Sequence, residues 1–460
     1  MVFDLKEYKD KTVHFIGIGG VSMSGLAAIL LDNKVKVTGS DFKKSANTNK
    51  LESFGAKIYY EQKKENITNP DIVVYTVAVD KSNDELKEAL KKGIPTYTRA
   101  EFLGHILNNF NNSIAVSGTH GKTSTTSMLS SIALSGKLDP TILVGANLPL
   151  IDGNYRIGKG ELFITEACEY KESFLKFPGK VSILLNFEED HLDYYRDLKH
   201  ILDTFRKYIT LLPKDGTIVC NSDDPNMQYV IEDSEQKKIT FGIKKGMIKA
   251  KNIKYNKLGN SSFDVYKNED FLMHIKLNVP GEFNIYNALA SIGASIASGI
   301  DKKTIEKGLN SYQGVDKRFQ YLFEKNNIKV FDDYAHHPKE IEASIKAAKN
   351  IKHNNIHIVF QPHTFSRTKA LFHDFAASFD NIKSLVLLDI FPAREIDRGI
   401  VSSEDLAKEI KKRNTLDVYK ASSFENAADI LKKVSKPSDI IITMGAGESV
   451  KVAEILKEIL

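Results

Sequence analysis

A glycine-rich turn between a short apolar strand and a helix indicates the chemistry of this chain most directly. The turn comprises Gly118, Thr119, His120, Gly121, Lys122, Thr123 and Ser124. Backbone N–H groups of such a turn, together with the helix N-terminus, favour a phosphate; Lys122 can neutralise the outer phosphates and the Thr123 hydroxyl can hold Mg²⁺. The loop is shortened, since the first glycine of a standard P-loop would fall at Val116. The sequence therefore predicts an ATP site.

An acid and a histidine follow two other predicted strands. Glu166 ends an apolar run, and His191 lies in the acidic stretch that begins at Asn186 and includes Asp193. Ligands of α/β sheets bind at the carboxyl ends of strands, so both side chains can converge on the phosphate loop. With Thr123 and phosphate oxygens they form a candidate Mg²⁺ site, although histidine is an unusual ligand for this ion. A helix cap or a surface residue is the alternative interpretation of His191.

A second glycine loop lies near the N-terminus. Gly17, Gly19, Gly20 and Ser22 resemble the dinucleotide fingerprint, with Ser22 at the third glycine position, and Asp41 lies about where a ribose-binding acid belongs. The pattern predicts a site for a nucleotide pyrophosphate. A nicotinamide cofactor and a nucleotide-sugar both remain open at this point.

Polar residues also follow predicted strands in the last third of the chain. Asp332, Tyr334 and His336 follow one strand, and Arg367 lies in the polar run after the next. Two acids, a tyrosine and two histidines within six residues suggest a site, and a solvated loop is the alternative.

Three further polar residues, Asn284, Asn287 and Arg318, could either bind a nucleotide or have a purely structural role. Asn284, near a predicted helix start that also contains Asn287, either caps the helix or reads an adenine edge. Arg318 follows a predicted hinge, where its guanidinium either reaches a phosphate on domain closure or is solvated.

Strands and helices alternate along the whole chain, which predicts an α/β protein with parallel sheets. The predicted strands are 12–16, 35–38, 57–60, 71–76, 95–98, 114–117, 162–166, 181–186, 217–220, 329–332, 356–360, 384–389 and 439–443, with an antiparallel hairpin at 262–266 and 271–277. A polar stretch at 108–113 reads as a linker. We therefore expect a Rossmann-like domain over 1–107, a central P-loop ATPase domain over 108–313 and a Rossmann-like domain over 314–460.

The composition limits the class of protein. The 460 residues are 42% hydrophobic and 27% charged, with a net charge of +5 and no dense basic block, which favours small anionic ligands over nucleic acid. Two cysteines fit a reducing compartment, and neither a signal peptide nor a membrane-length apolar run is evident. We expect a cytoplasmic protein without membrane insertion, as a monomer or homodimer.

Six motifs, in order along essentially the whole chain, resemble the muramyl ligase family. They are Gly17–Gly25, Gly118–Thr123, Asn186–Tyr195, Gly314–Phe319, Asp332–Pro338 and Phe360–Thr368. The resemblance implies a UDP-sugar domain, a central ATPase and a C-terminal ligase domain. It implies an ATP-dependent ligase that adds L-alanine to the carboxylate of UDP-N-acetylmuramate through an acyl phosphate, in peptidoglycan precursor synthesis.

The resemblance also implies roles for individual residues. The catalytic group comprises Lys122, Glu166, His191, Arg318 and His336. The ATP site comprises residues 118–124 with Asn284 and Asn287 by adenine, Asp332 by ribose and Arg318 by the phosphates. Thr123 and Glu166 serve one Mg²⁺, and His191 serves a second Mg²⁺. The UDP-sugar loop comprises Gly17, Gly19, Gly20, Ser22 and Asp41. The amino acid faces Tyr334 and His336, with Arg367 as the next candidate.

The chain departs from the family pattern in two places. Cys168, Tyr170 and Lys171 stand where the family usually has Asp, Ser and Asp, and Phe283 replaces a common histidine. The alternatives are a relative that joins a murein peptide to the same UDP-sugar, a nicotinamide-dependent oxidoreductase and a non-catalytic nucleotide sensor.

Overall fold

The structure is a computed structural model, and it describes residues 4–5, 7–192, 194–393, 395–413 and 415–460. Asp193 of the acidic stretch lies outside the described residues. The strands are β1 (Thr12–Ile16), β2 (Lys36–Ser40), β3 (Lys57–Tyr59), β4 (Ile72–Tyr75), β5 (Thr96–Thr98), β6 (Asn112–Ser117), β7 (Thr141–Leu148), β8 (Gly153–Arg156), β9 (Leu162–Glu166), β10 (Val181–Leu184), β11 (Thr217–Asn221), β12 (Lys237–Gly242), β13 (Ile248–Tyr255), β14 (Asn260–Lys267), β15 (Asp270–Pro280), β16 (Gln320–Lys325), β17 (Ile328–Asp333), β18 (Ile356–Phe360), β19 (Ser384–Leu387), β20 (Asp417–Lys420) and β21 (Ile440–Met444). The helices are α1 (Val21–Asp32), α2 (Ala46–Ser53), α3 (Asp84–Lys91), α4 (Arg99–Leu107), α5 (Lys122–Ser135), α6 (Leu198–Thr210), α7 (Met227–Ile231), α8 (Glu282–Ala297), α9 (Lys302–Ser311), α10 (Pro338–Lys349), α11 (Phe365–Ala370), α12 (Phe372–Ala377), α13 (Ser403–Arg413), α14 (Phe424–Val434) and α15 (Val450–Ile459).

The chain divides into two compact units. One comprises Met1–Lys251, Val265–Met273 and Tyr286–Leu309, and the other comprises Asn252–Asp264, His274–Ile285 and Asn310–Leu460. In the described part of the chain, no helix combines the length and apolar character that crossing a membrane requires.

The first sheet has five strands in the order β3-β2-β1-β4-β5, all parallel. Its strand order reverses beside β1, which places a ligand crevice at the carboxyl end of that strand. This confirms the Rossmann-like prediction. The first helix starts at Val21, directly after its N-cap Gly20, so the glycine loop leads straight into the helix N-terminus.

The second sheet has ten strands in the order β15-β14-β13-β12-β11-β10-β6-β9-β7-β8. The strand that feeds the phosphate loop, β6, lies between β10 and β9 and runs parallel to both. The carboxyl ends of these three strands therefore meet at one edge of the sheet. The predicted hairpin is present as β14 and β15, joined through Asn268 and Glu269, whose φ values of +49° and +72° suit a tight hairpin turn. The predicted linker is shorter than expected, because β6 already begins at Asn112.

The third sheet has six strands in the order β16-β17-β21-β18-β19-β20, and only the edge pair β16–β17 is antiparallel among these described strands. The loops after β17, β18 and β21 leave neighbouring strands at the same edge. At the opposite edge, the buried His357 ring bonds to Ser384 Oγ (2.7 Å) and Asp439 Oδ2 (3.0 Å). All three side chains are 1% exposed or less, so this hydrogen-bonded set braces the strand starts and offers no nucleophile to a substrate.

Candidate active site

Two glycines and one asparagine determine the backbone conformation of the phosphate loop. Gly118 and Gly121 have φ values of +130° and +89°, which other residues rarely adopt, and Gly121 is the N-cap of α5. The Asn186 side chain accepts a hydrogen bond from His120 N (2.8 Å) and donates one to His120 O (3.0 Å), while its carbonyl accepts one from Thr119 N (3.0 Å). Asn186, in the stretch after β10, thus fixes the loop.

Lys122 is enclosed by acceptors inside this loop. Its Nζ donates to Gly118 O (2.5 Å) and Thr119 O (3.0 Å) and lies 3.0 and 3.1 Å from the two carboxylate oxygens of Glu169. Burial alone lowers the pKa of Lys122, but the charge and hydrogen bonds of Glu169 raise it above its ordinary value. The lysine is therefore charged at neutral pH. This role of Glu169 was not predicted, although a second acid three residues after Glu166 was the available signal.

Glu166 ends β9 beside the phosphate-loop strand, in register with Val116. Its Oε1 accepts a hydrogen bond from Gly145 N (2.8 Å), and a Cβ at position 145 would lie 2.9 Å from its Oε2, so β7 must carry a glycine there. The carboxylate is thereby fixed at the edge of the sheet where the phosphate loop begins.

His191 has a left-handed backbone with φ of +53°, which is uncommon for a histidine. Asp190 Oδ1 accepts its N–H (2.7 Å), and the Tyr170 ring packs 4.7 Å from its imidazole. Thr123, Glu166 and His191 lie at the start of α5, at the end of β9 and in the loop after β10. Their residue types suit a divalent cation whose remaining ligands are oxygens, and a cation site shared by the three stays a prediction.

The loop after β9 contains the residues that depart from the family pattern. Lys171 and Glu172 have φ values of +52° and +55°, so the loop turns sharply just after Glu169. Burial raises the pKa of the Cys168 thiol to about 11, which leaves it neutral at physiological pH. The negative charge that this loop presents to Lys122 therefore comes from Glu169 and not from position 168.

The two asparagines at the start of α8 have different surroundings. Asn287 Oδ1 accepts a hydrogen bond from Thr125 Oγ1 (3.2 Å), and a Cβ at Gly121 would lie 2.6 Å from it, so this amide lies against the phosphate loop. Asn284 donates to Pro280 O (2.7 Å). The helix begins at Glu282, so Asn284 lies within the first turn and is not an N-cap. Phe283 is half-buried and packs against the core of the second unit.

The first glycine loop is tied to the next strand. Gly17 N and Ile18 N both donate to Ser40 O (2.8 and 3.0 Å), and Gly19 N donates to Asp41 Oδ2 (2.8 Å). A Cβ at position 19 would lie 2.8 Å from the same carboxylate oxygen, which explains the glycine. Asp41 thus positions the loop; a contact between Asp41 and ribose stays a prediction.

One interaction of this loop was not predicted from the sequence. Arg99, the first residue of α4, donates from Nη1 to Ser22 Oγ (3.2 Å). The signal was weak, because a single arginine 77 residues along the chain from a glycine loop has no motif.

The third sheet carries a second polar cluster at the ends of β17 and β18. Asp332 accepts a hydrogen bond from Thr443 Oγ1 (2.5 Å), and burial raises its pKa. The Arg318 guanidinium lies 5.3 Å from the centre of the Tyr334 ring, and Tyr334 N donates to Lys317 O (2.8 Å). The structure therefore brings Arg318 to the motif that begins at Asp332.

Two histidines and Arg367 complete this cluster. The rings of His336 and His363 lie 5.9 Å apart, and Arg367 Nη1 is 3.2 Å from His363 Nδ1. Burial, the neighbouring His336 and Arg367 lower the pKa of His363 to about 4, and burial also lowers the pKa of His336. Both rings are neutral at pH 7, and Arg367 supplies the positive charge. His363 lies within the motif Phe360–Thr368, but no role was predicted for it.

Three family models match consecutive parts of the chain. The Mur ligase family catalytic domain matches residues 12–111, the Mur ligase middle domain residues 116–295, and the Mur ligase glutamate ligase domain residues 317–447. Two relatives named UDP-N-acetylmuramate–L-alanine ligase, from Clostridium tetani and Clostridium acetobutylicum, are 51% and 50% identical over 99% of both chains.

Solved structures resemble the fold. The UDP-N-acetylmuramate-alanine ligase of Thermotoga maritima is 27% identical, with a TM-score of 0.78 over 97% of this chain and 98% of that one. A murein peptide ligase from Psychrobacter arcticus is 23% identical, with a TM-score of 0.66 over 97% of this chain and 98% of that one, and at this identity it supports the fold alone.

The buried Asp333 generates a testable pH dependence. Burial raises its pKa to about 7, although Ser344 donates a hydrogen bond to it. An unfolded chain releases this proton near pH 4, so folding retains a proton between about pH 4 and 7. The Asp333 contribution to the free energy of unfolding is therefore full below pH 4, falls as pH rises to about 7, and is constant above.

Urea unfolding of wild type and Asp333→Asn at several pH values measures this contribution. We expect the difference in unfolding free energy, wild type minus variant, to decrease by roughly 4 kcal/mol from pH 4 to pH 7. The exposed Asp429→Asn is the control from the same sheet domain. A difference that stays constant with pH would show that Asp333 is ionised throughout.

Proposed function

The chain belongs to the Mur ligase family, and on that premise we propose that it joins L-alanine to the carboxylate of UDP-N-acetylmuramate at the expense of ATP, in peptidoglycan precursor synthesis. Mur ligases use ATP. The proposal is carried by the similarity to relatives named for this reaction, which are 51% and 50% identical over 99% of the chain. The charged lysine enclosed in the phosphate loop supports it.

The reaction requires an activated acid. A carboxylate is a poor electrophile because its leaving group would be oxide; transfer of the γ-phosphoryl group of ATP to the carboxylate oxygen releases ADP and gives an acyl phosphate. The amine of L-alanine then attacks the acyl carbon, and phosphate leaves. Negative charge develops on oxygens in both steps, so we assign Lys122 and Arg318 to electrostatic stabilisation of those charges.

We assign Mg²⁺ to Thr123, Glu166 and His191. The hydroxyl, carboxylate and imidazole fit this ion if phosphate oxygens and water complete its shell. When bound, the ion neutralises charge on the phosphates. Glu166 is fixed for this task by the Gly145 N–H, and His191 by its left-handed backbone and Asp190.

We assign the three ligands to the three predicted domains, with the ATP site completed by residues of the third. We propose UDP-sugar binding for residues 1–107, through Gly17, Gly19, Gly20, Ser22 and Asp41. We propose ATP binding for residues 108–313, through the phosphate loop, Asn284 and Asn287, with Asp332 and Arg318 added from residues 314–460. We propose that Tyr334, His336 and Arg367 bind the amino acid, since the neutral histidines and the arginine can hold its carboxylate.

Phosphate release tests the function against its alternatives. We expect release with ATP, Mg²⁺, UDP-N-acetylmuramate and L-alanine together, and background release when any one is omitted or Mg²⁺ is chelated. Release with a murein tripeptide but not with L-alanine would favour the murein peptide ligase. ATP binding without turnover would indicate a nucleotide sensor, and hydride exchange with a nicotinamide cofactor would indicate an oxidoreductase.

Lys122→Ala separates the two nucleotide sites. We expect turnover to fall roughly a hundred- to a thousand-fold, because charge stabilisation on the phosphates is lost, while UDP-sugar affinity changes less than about twofold. Calorimetry with each ligand measures this, with the exposed Lys180→Ala as control. Equal loss of both ligands would contradict separate sites. Because the variant leaves Glu169 buried without its counter-charge, Lys122→Ala/Glu169→Gln should regain thermal stability but not turnover.

His336→Ala tests the amino-acid assignment. Loss of one hydrogen bond to a charged group costs about 1.5–3 kcal/mol, so we expect the KM for L-alanine to rise about ten- to a hundred-fold, or kcat to fall by that factor. Affinities for ATP and UDP-sugar should stay the same. The control is His373→Ala, an exposed histidine of the same sheet domain. Unchanged alanine kinetics would move the site, with Arg367 as the next residue to vary.

A further inference from the structure

We propose that Arg99 binds the pyrophosphate of the UDP-sugar and completes the first glycine loop as a two-sided anion site. This inference rests on the proposed function, because it takes the ligand class from there. The residue lies at the start of α4, outside every motif that the sequence analysis singled out.

Arg99 lacks the carboxylate partner that Arg156, Arg206 and Arg413 have. Arg156 pairs with Asp139 and Arg413 with Glu409, whereas the half-buried Arg99 has a hydrogen bond to Ser22 Oγ and no ion pair among the described residues. A guanidinium has five N–H donors and no acceptor. A half-buried arginine with donors to spare beside a glycine loop is suited to an anion that arrives with a ligand.

The packing of α4 holds the Arg99 side chain in place. The helix that carries it is capped by Thr98 and Glu101, and Glu101 also pairs with Lys176 (3.2 Å). A Cβ at Gly104 would lie 2.1 Å from Lys176 O, so α4 packs directly on the backbone there. The Arg99 guanidinium lies 5.9 Å from the centre of the Phe177 ring, which follows Lys176 along the chain. Its donors are therefore preorganised, which reduces the entropy lost on binding.

The partner of Arg99 identifies the anion. Ser22 lies in the first turn of the twelve-residue α1, whose N-cap Gly20 provides no side-chain acceptor and whose first turn contains no acid. The unpaired N–H groups of that turn and the helix dipole favour a phosphate, and Arg99 adds a full charge beside them. The proposed substrate has two anionic groups, a pyrophosphate and a carboxylate. The glycine loop next to Ser22 favours the pyrophosphate.

Binding measurements with three ligands test the proposal without turnover. UDP, UDP-N-acetylglucosamine and UDP-N-acetylmuramate share the pyrophosphate, and only the last has the carboxylate. For Arg99→Gln we expect the Kd of all three to rise about ten- to a hundred-fold, and the Kd of ATP to stay within about twofold. Arg99→Lys, which keeps the charge but loses the planar fork, should recover part of the loss.

Lys176→Gln is the matched control, because it removes a positive charge and the Glu101 contact from the same helix without touching Ser22. It should leave all four affinities unchanged, and thermal denaturation should show that each variant is folded. Unchanged UDP affinity in Arg99→Gln overturns the proposal, as does a loss confined to UDP-N-acetylmuramate or to ATP. Because binding is measured directly, a chain that binds UDP through Arg99 yet forms no amide would contradict the proposed reaction and leave this inference intact.

Discussion

The ion pair between Lys122 and Glu169 is the interaction on which the phosphate loop depends. Removing two charges from water is costly, and a buried pair is favourable only when its geometry and remaining hydrogen bonds are good. Here the lysine also donates to two loop carbonyls, and the Glu169 backbone carbonyl accepts from Tyr195 Oη (2.6 Å) and Glu172 N (2.8 Å). The pair keeps a cation ready where a triphosphate is expected, and an incoming phosphate must compete with Glu169 for it.

Close backbone approach is the second constraint on both nucleotide loops. Side chains at Gly19, Gly121 and Gly145 would collide with Asp41, Asn287 and Glu166, respectively. At Gly19 and Gly145 the backbone N–H donates directly to the carboxylate of Asp41 or Glu166, so these segments are held by directed hydrogen bonds. Loops held in this way keep their N–H groups oriented before a ligand arrives, which is the basis of electrostatic preorganisation.

In the cluster after β17 and β18, burial favours neutral side chains, in contrast to the buried, charged pair of Lys122 and Glu169. Desolvation lowers the pKa of His336 and His363, so both rings are neutral at pH 7, and it raises the pKa of Asp333 to about 7, so this carboxyl keeps its proton at mildly acidic pH. Arg367, hydrogen-bonded to His363, is then the cation that faces this part of the cluster. An arrangement of neutral rings around one guanidinium suits a small zwitterion, whose carboxylate needs a cation while its amine must be free to react.

Local pattern was sufficient for the sheets and the phosphate loop, and it was insufficient for partners distant along the chain. Strand periodicity and two glycine loops predicted the α/β fold and led us to expect Glu166 and His191 beside the phosphate loop, because parallel strands bring their carboxyl ends together whatever the side chains are. The family followed from motifs in order. Three contacts were found only in the tertiary structure, because burial and distance decide which charges meet and which pKa values shift. They are Glu169 with Lys122, Arg99 with Ser22, and His363 with Arg367. Asn284 shows the same limit: its residue type fits an N-cap, but the helix starts two residues earlier and directs its amide to Pro280.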